Sequence, residues 1–211
     1  MRKTFFDEEI KSWSRFYRGN FVNSLSGFKS VSLIGTVDSD RRSNLAVFSN
    51  LVHLGADPAL IGFINRPREA APHTLANIEA TSLYTINHIT DSMVVQAHQT
   101  SAKYEEGVSE FNATGLNEEW IEGVPVPFVK ESHVKYLLQL EDVFPIKQNG
   151  TFLVIGSLRL AVVPHEIISG DGFLHLEQAG SITSLGIDGY YNTSALGRFS
   201  YAKTDRPLTR I

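Results

Sequence analysis

The amino-acid sequence predicts a mainly β protein with a few short helices. Apolar and β-branched runs of strand length follow one another from about residue 30 to 168, with turn sequences such as Asp38-Ser39-Asp40 between them. Segments with helical spacing are few and short. The 211 residues, 42% of them hydrophobic, suffice for one sizeable core. We therefore expect a single domain over residues 1–211.

The N-terminal segment 7–28 has helical spacing. Its apolar residues recur every three or four positions, at Ile10, Trp13, Phe16, Tyr17, Phe21 and Leu25. This spacing predicts one or two short helices with an apolar face, which we expect to pack onto the strands.

Four strands are predicted next, over 31–37, 44–54, 60–65 and 82–89. Between the last two, Thr74 precedes a run of good helix formers through residue 80. A threonine hydroxyl can cap the first turn, so we predict a helix that starts at Thr74. A second helix is expected over residues 92–100.

Strand patterns return over residues 124–168, with a turn at residues 148–151 between two apolar runs. The tail from Tyr190 has no periodicity. We predict that residues 190–211 form an extended arm across a surface.

Charge and composition exclude several classes of function. With 19 basic and 23 acidic side chains, the chain has no net field that would attract nucleic acid. No apolar run approaches the roughly 20 residues that span a membrane, and the acidic run after Phe6 interrupts any signal-like start, which predicts a cytoplasmic protein. Because cysteine is absent, thiol chemistry is excluded and redox chemistry would need a cofactor.

Common catalytic motifs are also missing. The sequence has no G-x-G-x-x-G, no G-x-x-x-x-G-K-[ST], no G-x-S-x-G and no H-E-x-x-H. Its seven histidines are scattered, so we expect no metal site. No residue is assigned a catalytic role.

A series of short segments carries a resemblance. In order they read S-N-L-A-V-F-S-N at 43–50, D-P-A-L-I at 57–61, H-T-L-A-N-I at 73–78, Y-T-I-N at 84–87, S-E-F at 109–111, P-F-V-K-E-S at 127–132 and L-G-R at 196–198. This order resembles the flavin reductase-like family of FMN-binding split barrels. Val47 and Ala59 stand where that family has prolines, and His73 stands where an acidic residue precedes the threonine.

The resemblance implies a split β-barrel of antiparallel, Greek-key type that binds FMN, works with NADH or NADPH and forms a homodimer. It places the flavin ring along residues 44–50, with Ser49 at the ribityl phosphate. The implied cofactor-binding residues are Asn44, Leu45, Ala46, Val47, Phe48, Ser49, Asn50, Arg66, Arg68, Thr74 and Asn87.

The roles of four polar positions stay open at this stage. Arg68 and Thr74 suit a phosphate, through a bidentate guanidinium and a helix start, and Arg66 competes with Arg68. Asn87 either reaches the ring edge or satisfies a strand end. The alternatives from residue type alone are a half-buried strand with Phe48 in the core, a plain helix cap and solvated arginines.

The leading functional hypothesis is an NAD(P)H:flavin oxidoreductase that passes hydride from the nicotinamide to flavin N5. This transfer needs no general acid or base, which agrees with the missing catalytic motifs. The alternative is a non-catalytic FMN-binding protein or electron carrier. A relative of pyridoxamine-phosphate oxidase is disfavoured by the order of the segments. The expected partners are a second copy, a nicotinamide and an electron-acceptor protein.

Overall fold

The structure is a computed structural model that describes residues 1–105 and 107–211. Its helices are α1 Asp7–Ser12, α2 Arg15–Leu25, α3 Pro72–Thr81, α4 Val94–Gln99 and α5 Glu110–Thr114, with 3₁₀ turns at Asp91–Met93 and His165–Ile167. Its strands are β1 Lys29–Ser30, β2 Ser32–Val37, β3 Ser43–Phe48, β4 Val52–Ala56, β5 Ala59–Asn65, β6 Leu83–His88, β7 Glu118–Glu119, β8 Phe128–Val129, β9 Lys135–Ile146, β10 Thr151–Val162, β11 Thr183–Leu185 and β12 Gly189–Tyr191.

A seven-stranded antiparallel sheet forms the body of the molecule, in the order β3-β2-β6-β9-β10-β5-β4. The long hairpin β9–β10 occupies the region where strands were predicted over 124–168. A β-rich protein with few short helices is thus confirmed. β3 and β4 are the two edges and do not pair with each other, so the sheet is not closed.

The sheet curls so that its two ends meet across the core. Phe48 on β3 and Phe63 on β5 have ring centroids 5.0 Å apart, although four strands separate them in the sheet order. Phe63 in turn contacts the fully buried Tyr84 on β6 at 5.7 Å. Leu75 and Ile78 of α3 pack into the same cluster. This arrangement produces a barrel with an open seam.

The prediction of one strand over 44–54 is wrong, because the chain breaks at residues 49–51 into β3 and β4. Asn50 lies in this break. Its carboxamide donates to the Ile64 carbonyl at 2.9 Å and accepts the Ile64 N–H at 3.1 Å. The Asn50 side chain thus makes the hydrogen bonds to β5 that the backbone of a neighbouring strand would make. The loop at residues 49–51 therefore connects the two sides of the open seam.

The start of α3 also differs from the prediction. Ala71 is the N-cap and Pro72 is the first helical residue, a position that suits the fixed φ of proline. Thr74 is therefore inside the first turn and buried, and its hydroxyl accepts a bond of 3.4 Å from the Asn44 carboxamide. The predicted cap at Thr74 is wrong, although the helix itself is confirmed.

Both chain ends lie outside the main sheet. The helices predicted in 7–28 and 92–100 are present, but no residue of α1 or α2 is buried. β1 pairs with β11, and β11 pairs with β12, in a small separate sheet. The tail after Tyr191 folds back through bridges between Phe199 and Arg210 and between Lys203 and Arg206, which corrects the simple extended arm. None of the described helices is long and apolar enough to cross a membrane.

Candidate functional site

A cleft of about 1090 Å³ runs along β3. Most of its walls come from four parts of the chain: residues 43–50, the segment from Arg66 to Thr74 at the start of α3, the stretch after α4, and the turn from Ser184 to Tyr190. The predicted residues that line it are Asn44, Ala46, Val47, Phe48, Ser49, Asn50, Arg66 and Thr74.

The outer edge of β3 presents backbone groups to this cleft. The Leu45 N–H donates to Oε2 of Glu110 at 2.9 Å and therefore points away from β2. Alternation along an antiparallel strand gives the Val47 N–H the same direction. Among the described residues, no group on that side of β3 accepts a hydrogen bond from the Val47 N–H. The edge next to Ala46 thus keeps free hydrogen-bonding groups.

Glu110 is a functional candidate that the sequence patterns did not assign. It begins α5, a helix that was not predicted, and is only 8% exposed while it lines the cleft. Burial raises the pKa of its carboxyl, against the opposing effects of the Leu45 N–H and of His73. The S-E-F segment was the available signal, but nothing in it reveals that the carboxylate holds a strand edge.

The first turn of α3 faces the cleft without a side-chain cap. Ala71 offers no capping group and Pro72 has no N–H. The N–H groups of His73 and Thr74 have no recorded partner among the described residues. Such groups at a helix start carry partial positive charge and bind anions. Because Asn50 ties its loop to β5, Ser49 lies beside the segment that follows β5.

Of the two predicted arginines, the structure brings only Arg66 to the cleft, where it is exposed. Arg68 instead makes two bonds to Glu79, of 2.7 and 2.6 Å, and lies over the Phe152 ring. The hydrogen bond from Arg68 lowers the pKa of Glu79. The guanidinium of Arg68 is therefore held against the outer side of α3.

Two further predicted residues point into the protein. Asn87 is fully buried; its amide donates to the Leu33 carbonyl at 3.2 Å and its oxygen accepts the Val129 N–H at 2.9 Å. Asn87 thus satisfies a strand end and does not line the cleft, which decides between its two readings. Leu45 has its side chain in the core and does not line the cleft; its backbone N–H binds Glu110, which does.

The described residues hold no group of three histidine, aspartate or glutamate side chains that could bind a metal ion.

Comparisons with known proteins agree with this architecture. The model of the flavin reductase like domain matches residues 26–173. A split-barrel protein from Shewanella frigidimarina NCIMB 400, proposed to be a flavin reductase, is 43% identical, with a TM-score of 0.92 over 95% of this chain and 100% of that one.

Two more distant structures share the fold. Flavoredoxin of Desulfovibrio vulgaris (Miyazaki F) is 21% identical, with a TM-score of 0.69 over 84% of this chain and 91% of its own. An FMN-binding protein from Thermus thermophilus is 15% identical, with a TM-score of 0.65 over 90% and 94%. The expected split-barrel fold is confirmed. The chain belongs to the flavin reductase-like domain family, whose members are flavin-related oxidoreductases.

Proposed function

We propose that this protein binds FMN in the cleft along β3 and passes hydride from NADH or NADPH to flavin N5. One observation carries the proposal: the uncapped start of α3 and the free outer edge of β3 line the same cleft. The first suits a terminal phosphate and the second suits the polar edge of a flat ring. The FMN-binding protein from Thermus thermophilus supports the choice of FMN.

The phosphate end of the cleft has a fitting donor set. The free N–H groups of His73 and Thr74 would hold phosphate oxygens at the helix start. Ser49 adds a hydroxyl, and Arg66 adds a charged group that can bond two oxygens at once. We assign the phosphate to Arg66 and not to Arg68, because Arg68 is already paired with Glu79.

The ring end relies on backbone groups. Ala46 has a small side chain, which allows a flat ring to approach β3 closely, and the Val47 N–H is directed toward the cleft. Glu110 keeps this edge in place through Leu45. Val47, which stands where the family pattern has proline, also provides an N–H donor that proline would lack.

When bound, FMN would supply the chemistry by accepting a hydride at N5. The chain's own groups would hold the phosphate at α3 and fix the ring edge at β3. No residue is required to move a proton during hydride transfer. The site therefore needs positioning groups more than an acid–base pair, and the uncapped start of α3 and the outer edge of β3 supply such groups.

The purified protein is expected to contain FMN and no FAD, because the site has one anion-binding helix start and the sequence has no dinucleotide motif. Cofactor released by heat should be identified chromatographically. Oxidation of NADH and NADPH should then be followed with and without added FMN. Tight FAD would contradict the assignment, and bound FMN without nicotinamide oxidation would favour an FMN-holding protein or electron carrier.

A homodimer is also proposed. Neither α1 nor α2 buries a residue in one chain, and large apolar side chains remain exposed there: Phe16 is 82% exposed and Leu25 67%. Nearby, Phe28 is 63% exposed. Apolar surface of this extent commonly marks a protein interface, and a second copy is the most frequent partner.

Sedimentation velocity at micromolar concentration should give the mass of a dimer. Phe16→Ser is expected to shift the equilibrium toward monomer, since it removes an apolar ring from the proposed interface. A parental protein that sediments as a monomer at all concentrations would contradict the proposal.

A further inference from the structure

The wall of the cleft opposite α3 carries a pair of hydrogen-bonded side chains. His98 lies in the last turn of α4, and its Nδ1 lies 2.9 Å from the Tyr190 hydroxyl. The two rings meet edge to face, with centroids 5.7 Å apart and an interplanar angle of 88°. Both residues line the cleft, and Tyr190 packs against the core cluster that contains Val31 and Leu45. The tyrosine is therefore held in place from two sides.

A third polar group lies next to this pair. Ser184 on β11 is directly opposite Tyr190 on β12, so the two side chains share one face of the small sheet. Ser184 also lines the cleft, is 5% exposed, and its hydroxyl has no hydrogen-bond partner among the described residues. A buried hydroxyl without a partner is costly, and a ligand at this wall would reduce that cost.

This wall is separate from the proposed phosphate site. Asn44 contacts Thr74 of α3, whereas Leu45 and Val47 pack into the cluster that contacts Tyr190. Successive side chains of a strand point to opposite faces, so α3 and Tyr190 lie on opposite sides of β3. The volume of about 1090 Å³ is also at or above the range of roughly 300–1000 Å³ that single small-molecule pockets occupy. The cleft thus has room for a second ligand.

The charge around the pair favours a neutral ligand. Burial, and then the nearby Asp188, raise the pKa of Tyr190, so its hydroxyl keeps its proton at neutral pH. Asp188 also lines the cleft, where it would repel an anionic substituent. With His98 as partner, the hydroxyl can offer either its proton or a lone pair to a ligand.

We propose that Tyr190, positioned by His98 and accompanied by Ser184, binds the carboxamide of the nicotinamide and selects it over a carboxylate. A carboxamide has one oxygen acceptor and an NH₂ donor, and so matches two neighbouring hydroxyls better than a carboxylate, which only accepts. The assignment rests on the proposed function, since it concerns the hydride donor of the same site.

The test measures equilibrium binding to the FMN-loaded protein by calorimetry. The probes are NAD⁺ and deamido-NAD⁺, in which a carboxylate replaces the carboxamide, with the corresponding NADP⁺ pair run in parallel. The parent should bind the carboxamide form at least about threefold more tightly. Tyr190→Phe should weaken that form by roughly three- to tenfold, the loss of one hydrogen bond, and reduce the preference. FMN affinity should stay parental.

Tyr191→Phe is the matched control. Tyr191 is the next residue on β12, but it is absent from the cleft lining and contacts Phe28 at 5.0 Å. It should bind all probes as the parent does. The inference is overturned if Tyr190→Phe binds the carboxamide form normally, if the parent binds both forms equally or neither, or if Tyr190→Phe loses FMN affinity, which would place Tyr190 at the flavin. A parent without FMN affinity, measured before any nicotinamide is added, would refute the proposed function itself.

Discussion

Arg66→Ala is expected to weaken FMN binding roughly ten- to a hundredfold, because it removes charge-assisted hydrogen bonds of about 1.5 to 3 kcal/mol to the phosphate. Arg68→Ala is expected to leave FMN affinity unchanged, since its guanidinium is committed to Glu79 and lies outside the cleft. The two variants remove the same side chain two positions apart. The measurement is the quenching of flavin fluorescence during titration of the apoprotein.

Riboflavin separates a phosphate contact from general damage. It lacks the phosphate, so its affinity should be nearly equal in the parent and in Arg66→Ala. If Arg66→Ala retains parental FMN affinity, the phosphate is not at the start of α3 or is held there by backbone groups alone. If Arg68→Ala is the weaker binder, the Arg68–Glu79 pair must open when the cofactor binds.

These two arginines illustrate what a sequence pattern can and cannot decide. Both follow β5 and precede α3, so both satisfied the requirement for a cation near a helix start. The choice between Arg66 and Arg68 depends on Glu79, which binds Arg68 on the side of α3 that faces away from the cleft. Such a pairing becomes visible only when the helix is packed.

Strand positions were more predictable than strand ends. Alternating and β-branched runs located the four N-terminal strand regions and the hairpin that follows residue 134, because burial of one face imposes that pattern. The break at residues 49–51 was missed, since the Asn50 carboxamide replaces backbone pairing with β5 and the strand pattern resumes directly at Leu51. Tertiary hydrogen bonds of this kind have no local signature.

The cleft itself was predicted only in part. Every residue of the 44–50 segment except Leu45 lines it, but the role of Glu110 depends on a contact with Leu45, 65 residues away. Asn87 has a side chain that could contact a ligand, but its carboxamide hydrogen-bonds to the backbone of Leu33 and Val129 instead. Residue type therefore indicated polar groups near the site, while packing decided which of them face it.

The second large effect expected is a loss of stability in mild acid caused by His88. Part of this residue stays exposed, but its ring packs against Tyr136, with Nδ1 3.1 Å from the Ser181 hydroxyl. Burial lowers the pKa of His88 to about 4, from an ordinary value of 6.5. Between these values the unfolded chain binds a proton that the folded protein does not. The contribution of His88 to the free energy of unfolding is therefore complete above pH 6.5 and is lost as the pH is lowered toward 4.

Urea unfolding of the parent should show a loss of about 2 kcal/mol from this residue between pH 7 and pH 4.5, which His88→Gln should lack. The variant will be less stable at pH 7, so the comparison concerns the change with pH and not the absolute value.

Glu110 acts in the opposite direction, because its raised pKa favours the folded state in acid, and this contribution is the same in both proteins. His53→Gln, at an exposed position on β4, should keep the parental pH dependence. Equal pH dependence in the parent and His88→Gln would show that the folded protein accommodates a charged ring at His88.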